Sequence, residues 1–238
     1  MDVATRLFDN LARVRQQIAE ATVRAGRRPD DVRLVGVTKY VDVETTRALF
    51  HAGLSDLAES RPQELWRKAE ALKDLPVRWH CIGHLQRNKV ERTLPLILLL
   101  HSGDSLRLLE TVSVAAVKQG RVVETLLEVN ISRDPSKHGF ELEMIATALP
   151  AIALLPGIKV RGLMAMAALE GGSERARENF SALRKLRDVV RRDCPPQIDL
   201  TELSMGMSGD FVEAIEEGAT IVRVGSALFE GLPEVSHD

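Results

Sequence analysis

The sequence predicts a single α/β domain over residues 1–238, folded as one (β/α)8 TIM barrel with an extra N-terminal helix. Short runs rich in valine, leucine and isoleucine recur along the 238-residue chain and indicate parallel strands buried on both faces. A segment of helical periodicity follows each run, which gives eight β/α units. The alternative is an open doubly wound sheet, but the glycine-rich dinucleotide-binding fingerprint is absent after the first strand.

The predicted elements follow one another without a linker, a repeat or a low-complexity segment. The first is a helix whose apolar stripe contains Leu7, Leu11 and Val14 and which ends at Gly26. The predicted strands lie at residues 34–39, 54–58, 77–82, 96–100, 122–131, 159–166, 198–203 and 220–224. Helices are predicted from about residues 42, 63, 86, 105, 140, 174 and 209, and a short helix follows the last strand.

The composition is that of a globular protein that can build a full core, with 45% hydrophobic and 28% charged residues. Its 32 basic and 34 acidic residues leave a net charge of -2, so charge does not favour nucleic acid or an anionic membrane as partner. Cys81 and Cys194 form no zinc pattern and are expected to be reduced thiols. Residues 1–26 lack the apolar core of a signal peptide, and the apolar run 94–100 is too short for a bilayer, so a cytoplasmic protein is predicted.

The first predicted strand ends in Lys39, at the edge where parallel α/β folds bind their ligands. A partly desolvated lysine at such a place can attack a carbonyl carbon. The alternative is a solvated lysine that only ends the strand, and this run alone does not exclude it.

Two glycine- and hydroxyl-rich elements near the C-terminus are candidates for phosphate binding. In the last unit the strand ends at Gly225-Ser226 and passes directly into a helix, whose first backbone N–H groups suit a phosphate. The preceding unit carries a similar element that includes Ser204 and Ser208. Barrels commonly bind phosphate after strands seven and eight. The alternative is that both elements are ordinary helix caps, where Ser and Gly are favoured.

Closure of the barrel makes the first and last strands neighbours, so Lys39 is predicted to lie beside Gly225-Ser226 at one mouth. An amine for an aldehyde and a seat for a phosphate are what pyridoxal 5'-phosphate requires. Arg223, two residues before Gly225, is placed to reach the pyridine nitrogen or the phosphate. An arginine at that nitrogen would keep it unprotonated and weaken the ring as an electron sink, which favours modest chemistry or none.

Further polar residues follow other predicted strands. His80 and His84 suggest a metal pair, but no carboxylate lies close in sequence, so a structural or mouth-lining role is preferred for His80 and no metal is predicted. Asn130 ends the fifth strand and Lys137 follows in a polar loop, and both are predicted to line the mouth. The segment 59–64 after the second strand is a similar polar candidate.

Eight motifs match a known family in order, from about residue 32 to residue 229. They are VTK at 37–39, WHCIGHLQRNK at 79–89, HSGDS at 101–105, VNIS at 129–132, SKHGF at 136–140, RGLMAM at 161–166, LSMGMS at 203–208 and VRVGS at 222–226. The sequence resembles the pyridoxal phosphate homeostasis proteins, a pyridoxal phosphate-binding family related to the N-terminal barrel of alanine racemase. The second and seventh motifs are the most specific of the eight.

The resemblance implies that Lys39 holds pyridoxal 5'-phosphate as an internal aldimine and that Arg223 faces the cofactor ring. His80 and Asn130 are included as further cofactor-binding candidates at the same mouth. The residues implied to bind the phosphate are Ser204, Ser208, Gly225 and Ser226.

Three positions depart from the family pattern. Ser60 stands where asparagine is usual after Glu59, which puts the contact of that amide in doubt. Ser226 replaces a threonine and keeps the hydroxyl, whereas Glu230 replaces a glycine and is expected to alter the last helix.

Racemisation of an amino acid needs a proton donor or acceptor on each face of the cofactor, and Lys39 serves only one face. In alanine racemase, as the family relation implies, a tyrosine from a separate domain of the partner subunit serves the other. The one tyrosine of this chain, Tyr40, would point away from Lys39 if the strand continued. We therefore expect not an efficient enzyme but a monomeric protein that buffers pyridoxal 5'-phosphate or delivers it to pyridoxal phosphate-dependent apoenzymes.

Two alternatives remain open at this point. A weak pyridoxal phosphate-dependent racemase or lyase would use His80, Cys81 or Lys137 as its second group. An aldolase that uses a lysine without any cofactor would explain Lys39 but not the two phosphate elements.

Overall fold

Eight parallel strands close into a barrel in chain order in the computed structural model, which describes residues 2–168 and 170–232. The strands are β1 (Arg33–Val37), β2 (Asp56–Glu59), β3 (Arg78–Cys81), β4 (Ile97–Gly103), β5 (Val123–Glu128), β6 (Ile158–Met164), β7 (Glu202–Ser204) and β8 (Ile221–Val224). The helices are α1 (Val3–Arg24), α2 (Val43–His51), α3 (Pro62–Ala71), α4 (Val90–Thr93), α5 (Leu106–Lys118), α6 (Leu142–Ala153), α7 (Gly172–Val190) and α8 (Phe211–Glu216). This arrangement confirms the predicted barrel with its extra N-terminal helix.

The parallel pairing of β1 with β8 closes the barrel. Gly36 of β1 lies opposite Val224 of β8, and opposite Leu57 of β2 on its other side. Because all strands run in the same direction, their carboxyl ends and the loops that follow meet at one mouth. Lys39 and Gly225 each follow one of two adjacent strands at that mouth.

The buried apolar side chains form two layers, one on each side of the strands. The larger layer lies between the strands and the helices and includes Leu57, Leu100 and Phe180. Strand residues are therefore surrounded by apolar groups on both sides, which explains the continuous apolar runs in the sequence. The smaller layer lies inside the barrel and contains Val35, Val37, Ala58, Leu99, Leu126, Met164 and Ile221.

Helix α1 packs against the segment that follows β8. The Asp2 side chain caps α1 by accepting from the Thr5 N–H at 2.9 Å. The Asn10 amide donates to the carbonyl oxygens of Leu228 and Glu230, each at 3.0 Å. In the part of the chain that the structure describes, no helix is long and apolar enough to cross a membrane.

Glu230, one of the departures from the family pattern, lies at the surface. Its carboxylate forms an ion pair with Arg13 of α1. The segment before it is a 3-10 turn, Ser226–Leu228, where the sequence predicts a short helix. The substitution thus adds a surface contact between α1 and the end of the last unit.

Other predicted elements are also shorter in the structure. The fifth strand, predicted at 122–131, ends at Glu128, so Asn130 lies in the loop that follows it. The helix predicted from residue 86 is broken into the 3-10 turns Arg87–Lys89 and Leu94–Leu96 on either side of α4, and Pro95 removes the N–H that a longer α-helix would need. The strand predicted at 198–203 is reduced to β7. The residues before β7 lie outside the regular ladder, although the Asp199 N–H still donates to the Val160 carbonyl of β6.

Candidate functional site

Lys39 and the Gly225-Ser226 segment lie side by side at the barrel mouth, which confirms the prediction from barrel closure. Val37, two residues before Lys39, is adjacent to Gly225: a Cβ atom added to Gly225 would lie 3.5 Å from the Val37 Cβ. The Lys39 side chain is exposed, and its Nζ lies 4.7 Å from the centre of the Tyr40 ring. The lysine amine is therefore accessible to a ligand at the mouth.

Tyr40 does not point away from Lys39, which corrects the expectation based on a continued strand. Strand β1 ends at Val37, and Lys39 and Tyr40 lie in the turn that follows it. The turn releases the two side chains from the alternation of a strand, so the lysine ammonium packs against the phenol ring.

Ser208, Gly225 and Ser226 lie together, and Gly225 is adjacent to Val37, two residues before Lys39. The backbone N–H groups of Gly225 and Ala227 both donate to the Ser208 hydroxyl oxygen, at 3.1 and 3.3 Å. Two N–H groups that converge on one oxygen at the start of a helical turn have the arrangement that binds an anionic oxygen. With the exposed Ser226 hydroxyl next to them, these donors fit the phosphate of pyridoxal 5'-phosphate.

Ser204 lies apart from this group, fully buried inside the barrel, where it contacts Arg223. The Arg223 Nη1 donates to Ser204 Oγ at 2.6 Å, and Nη2 donates to the Ala165 carbonyl at 3.0 Å. Burial lowers the pKa of Arg223 to about 10, while the carboxylates of Glu128 and Asp210 act to raise it. The guanidinium is therefore held in place and remains charged at neutral pH.

His80 and His101 extend this network away from the mouth. His101 Nδ1 lies 2.9 Å from Ser204 Oγ, and His101 Nε2 lies 2.9 Å from His80 Nδ1. His80 Nε2 lies 3.0 Å from Asp56 Oδ1, and Asp56 also forms an ion pair with Arg78. Burial lowers the pKa of both histidines, that of His101 well below its usual value. Both ring nitrogens of His80, a predicted cofactor-binding residue, are thus engaged by protein groups.

Asn130 and Lys137 organise the loop after β5. The Asn130 side-chain amide donates to the Asp134 carbonyl at 2.7 Å, and its carbonyl oxygen accepts from the Ser132 hydroxyl at 3.2 Å. Lys137 donates to the Ala167 carbonyl at 3.0 Å, which ties this loop to the segment after β6. Both residues are half-buried, and these contacts use their side chains to hold the rim of the barrel.

Sequence reasoning missed Glu128, the last residue of β5. Its side chain is buried, and burial together with the negative charge of Asp104 raises the pKa of Glu128 to about 7, against the lowering effect of Arg223 and His84. In a ring of eight strands β5 stands opposite β1, so Glu128 and Lys39 lie on opposite sides of the mouth. The available signal was a carboxylate directly after the apolar pair Leu126-Leu127 at the end of the strand.

A second cluster joins His84, which the sequence analysis considered only with His80, to Asp104 and His138. His84 Nδ1 lies 2.7 Å from Asp104 Oδ2, and the rings of His84 and His138 stack with centroids 4.2 Å apart and planes at 13°. These groups are of the type that ligates transition metals, and their ligand atoms lie within 4.8 Å of one another. Stacked rings cannot both direct their in-plane lone pairs at one ion without rotating. His80 and His84 form no metal pair, because His80 is in the barrel interior and His84 is at the surface.

Glu59 and Cys81 do not line the mouth, although both belong to segments that the sequence analysis singled out. The fully buried Glu59 carboxylate contacts the Lys68 ammonium of α3 at 2.6 Å, on the outer side of the barrel wall. Burial raises the pKa of the Cys81 thiol to about 12, so the thiol stays protonated near neutral pH. Neither side chain is placed for proton transfer at the mouth.

Comparison with known proteins gives consistent matches over nearly the whole chain. The family model of the alanine racemase N-terminal domain matches residues 10–233. The pyridoxal phosphate homeostasis protein of Aquifex aeolicus (strain VF5) is 41% identical over 221 residues, which are 93% of this chain and 96% of that protein. The crystal structure of an unknown protein from Bifidobacterium adolescentis is similar with a TM-score of 0.90 and 38% identity, covering 96% of this chain and 97% of the other. PipY of Synechococcus elongatus PCC7942, solved with PLP bound, has a TM-score of 0.84 and 32% identity, covering 94% of this chain and 99% of its own.

Three features thus agree: the closed eight-strand barrel, the exposed lysine that follows β1 next to the Gly225-Ser226 segment that follows β8, and identities above 30% along almost the full length of several relatives. The chain belongs to the family of the alanine racemase N-terminal domain and, within it, to the pyridoxal phosphate homeostasis proteins.

Proposed function

We propose that this protein binds pyridoxal 5'-phosphate and takes part in its homeostasis, buffering or delivering the cofactor, with Lys39 as the point of covalent attachment. The observation that carries the proposal is the pairing of β1 with β8, which brings an exposed amine beside backbone N–H and hydroxyl groups that suit a phosphate. The Aquifex aeolicus relative is named for this role, and PipY has been solved with PLP bound, which supports the proposal.

Each residue of the proposed site has one task. The Lys39 amine condenses with the aldehyde carbon of the cofactor and releases one water. The bound cofactor supplies an electron sink, and we assign the charged Arg223 guanidinium to its ring, where it would weaken that sink. We assign the phosphate to Ser208, Gly225 and Ser226.

The remaining predicted site residues support these contacts in our proposal. Ser204 and His80 hold Arg223 in place through the buried network, and Asn130 holds the loop after β5. Their hydrogen bonds to protein groups support this assignment over direct contact with the cofactor.

The test of cofactor attachment is spectroscopic. Protein mixed with pyridoxal 5'-phosphate should gain a visible absorbance band, and borohydride reduction should leave the cofactor on the peptide that contains Lys39. Lys39→Ala should lose the band, whereas Lys185→Ala, at an exposed lysine of α7, should keep it. A protein that stays colourless with added cofactor, or that carries the cofactor on another lysine, would refute the proposal.

We also propose that the protein is a cytoplasmic monomer that passes the cofactor to pyridoxal phosphate-dependent apoenzymes and is not an efficient enzyme. Large exposed apolar side chains, such as Phe8, Val114 and Leu154, are spread over separate elements, which supports a monomer. Light scattering should give the mass of one 26.3 kDa chain.

Delivery is tested by adding the loaded protein to an apoenzyme in the presence of a scavenger that captures free cofactor. If the protein passes the cofactor on directly, the apoenzyme regains its activity despite the scavenger. A rate of recovery no higher than that with free cofactor and the same scavenger would refute delivery.

A second candidate function is slow racemisation or elimination on an amino acid. Glu128 favours it, because its raised pKa lets the carboxyl exchange a proton near neutral pH on the side of the mouth opposite Lys39. Turnover of D- and L-amino acids well above that of free cofactor, lost in Glu128→Gln with the absorbance band retained, would establish this activity. Turnover equal to that of free cofactor would exclude it.

A further inference from the structure

A line of polar side chains crosses the barrel interior from the start of β2 to the region below the mouth, and we call it the interior relay. Its successive contacts measure 3.0, 2.9, 2.9 and 2.6 Å. All its members are buried, so a polar atom left there without a partner would be costly. The interior relay consists, in order, of Asp56, His80, His101, Ser204 and Arg223.

The chemistry of the two ends determines where each proton of the relay lies. Arg223 can only donate, so Ser204 accepts from it and directs its own O–H proton to His101 Nδ1. At the other end, burial acts to raise the pKa of Asp56, but the hydrogen bonds and charges of His80 and Arg78 hold that pKa below its usual value. Asp56 is therefore an ionised acceptor, and His80 must carry a proton on Nε2.

If both imidazole rings are neutral, only one donor-to-acceptor order of the hydrogen bonds agrees with these two ends. With one proton on Nε2, His80 has a bare Nδ1, which accepts from Nε2–H of His101. Every bond thus has one proton, and all bonds point from Arg223 to Asp56. The reverse order would place the bare Nε2 of His80 against the Asp56 carboxylate, two acceptors 3.0 Å apart. Besides Asp56, the charged groups that act on the two rings are Arg33, Arg78 and Arg223, all cations, which oppose a second proton on either ring.

We propose that His80 and His101 are positioning residues that orient Arg223 through Ser204. A change at Asp56 then alters the affinity for the cofactor at the mouth and the pH midpoint of its absorbance band. His101 takes the only proton of Ser204, and this leaves the Ser204 oxygen as an acceptor toward the guanidinium. If the order is reversed, Ser204 must accept from both His101 and Arg223, which weakens its hold on the guanidinium. The effect on the cofactor rests on the proposed function, whereas the proton order is a property of the protein alone.

The proton order can be read without any cofactor. Long-range ¹H–¹⁵N spectra of protein labelled at histidine distinguish a proton on Nε2 from one on Nδ1. We expect both interior rings to carry the proton on Nε2 and to show no titration between about pH 5.5 and pH 8.5, where an unperturbed histidine titrates. A proton on Nδ1 of His101, or titration of either ring near pH 6.5, would overturn the inference.

Asp56→Asn tests the direction of the relay from the end farthest from Lys39. Arg78 can only donate, so it takes the new amide oxygen and leaves the NH₂ group facing His80 Nε2. Both rings should then move their proton to Nδ1, and the affinity for pyridoxal 5'-phosphate should fall by about tenfold with a shift in the pH midpoint of the absorbance band. Rings that keep the proton on Nε2 would overturn the proposed order.

Variants at His101 separate positioning from simple loss of stability. His101→Phe should weaken cofactor binding, whereas His101→Gln, whose amide can accept from Ser204 and donate to His80, should restore it. Leu149→Ala of α6 is the control, since it removes a buried apolar side chain of the outer layer, which contributes nothing to the relay, and should lower stability without changing the band. The positioning role is refuted if Asp56→Asn moves the protons of both rings to Nδ1 but the absorbance band and the cofactor affinity do not change. It is likewise refuted if His101→Phe folds, and so breaks the relay, without changing either. A wild-type protein without a band would refute the proposed function itself, and the spectra of the rings would still decide the proton order.

Discussion

Lys68 and Glu59 form an ion pair that is wholly buried between α3 and β2, with Nζ 2.6 Å from Oε1. The Lys68 ammonium also donates to the Thr38 carbonyl at 2.6 Å, and the Thr38 hydroxyl donates to the same Glu59 oxygen at 2.6 Å. The other carboxylate oxygen, Oε2, is buried without a partner among the described residues. Since Thr38 directly precedes Lys39, this cluster fixes the backbone that carries the proposed attachment lysine.

Lys68→Met is expected to lower the free energy of unfolding by about 3–5 kcal/mol, because it leaves the Glu59 carboxylate buried and unpaired. The double variant Lys68→Met with Glu59→Leu should recover most of this loss, since well-packed apolar groups can replace a buried ion pair. Denaturant unfolding measures both values. Lys73→Met is the matched control: its ion pair with Glu70 is exposed, so no measurable change is expected. A Lys68→Met protein as stable as this control would contradict the prediction.

The fold and the proximity of Lys39 to Gly225 could be predicted from the sequence for one physical reason. Strands buried on both faces appear as uninterrupted apolar runs, each run is followed by a helix, and eight such units close with the first strand beside the last. The short 3-10 turns around α4 and the reduced β7 could not be predicted. An apolar segment has the same composition whether or not its backbone pairs with a neighbouring strand, so the sequence does not show where regular structure stops.

The side chains inside the barrel could not be assigned from the sequence, because both faces of each strand are buried and periodicity does not separate inside from outside. His101 follows an apolar run, and only the register shows that it points inward to His80 and Ser204. The same limit explains why Glu59 was expected at the mouth, although it points outward to Lys68. A polar residue that interrupts a buried strand is a signal of function, but the strand register is needed to tell where it points.

Gly83→Ala is expected to lower the stability by about 1–3 kcal/mol through overpacking. A Cβ atom at residue 83 would lie 2.1 Å from the Ser60 carbonyl oxygen, and this backbone atom cannot rotate away. The contact involves the backbone of Ser60, so it does not depend on the departure from asparagine at that position. Thermal unfolding compares this variant with Gly209→Ala, whose Cβ would meet no atom within 4 Å and which should be neutral or slightly stabilising. Equal melting temperatures for the two variants would show that the loops after β2 and β3 can separate freely.

Glu128→Gln is expected to stabilise the protein at high pH and not at low pH. The pKa of Glu128 is raised from 4.5 to about 7 in the folded protein, so between these values the folded state binds more protons than the unfolded state. Its contribution to the free energy of unfolding therefore falls as the pH rises from about 4.5 to 7, by up to about 3 kcal/mol. The difference between Glu128→Gln and wild type, measured by denaturant unfolding at several pH values, should grow over this window in favour of the variant. A constant difference would mean that the carboxyl is not perturbed.

The two interior histidines should act on stability with the opposite sign, and the Glu128→Gln background removes the opposing contribution of Glu128. Their pKa values are lowered by burial, so as the pH falls below about 6.5 the unfolded chain binds protons that the folded chain does not. The free energy of unfolding should then decrease by up to about 1.4 kcal/mol per pH unit for each ring. Adding His101→Gln should remove the part of this pH dependence that belongs to one ring, whereas Leu149→Ala, which removes no titratable group, should lower the stability without changing the slope. A slope that does not respond to His101→Gln would mean that the ring accepts a proton in the folded barrel, and the one-directional order from Arg223 to Asp56 could not hold.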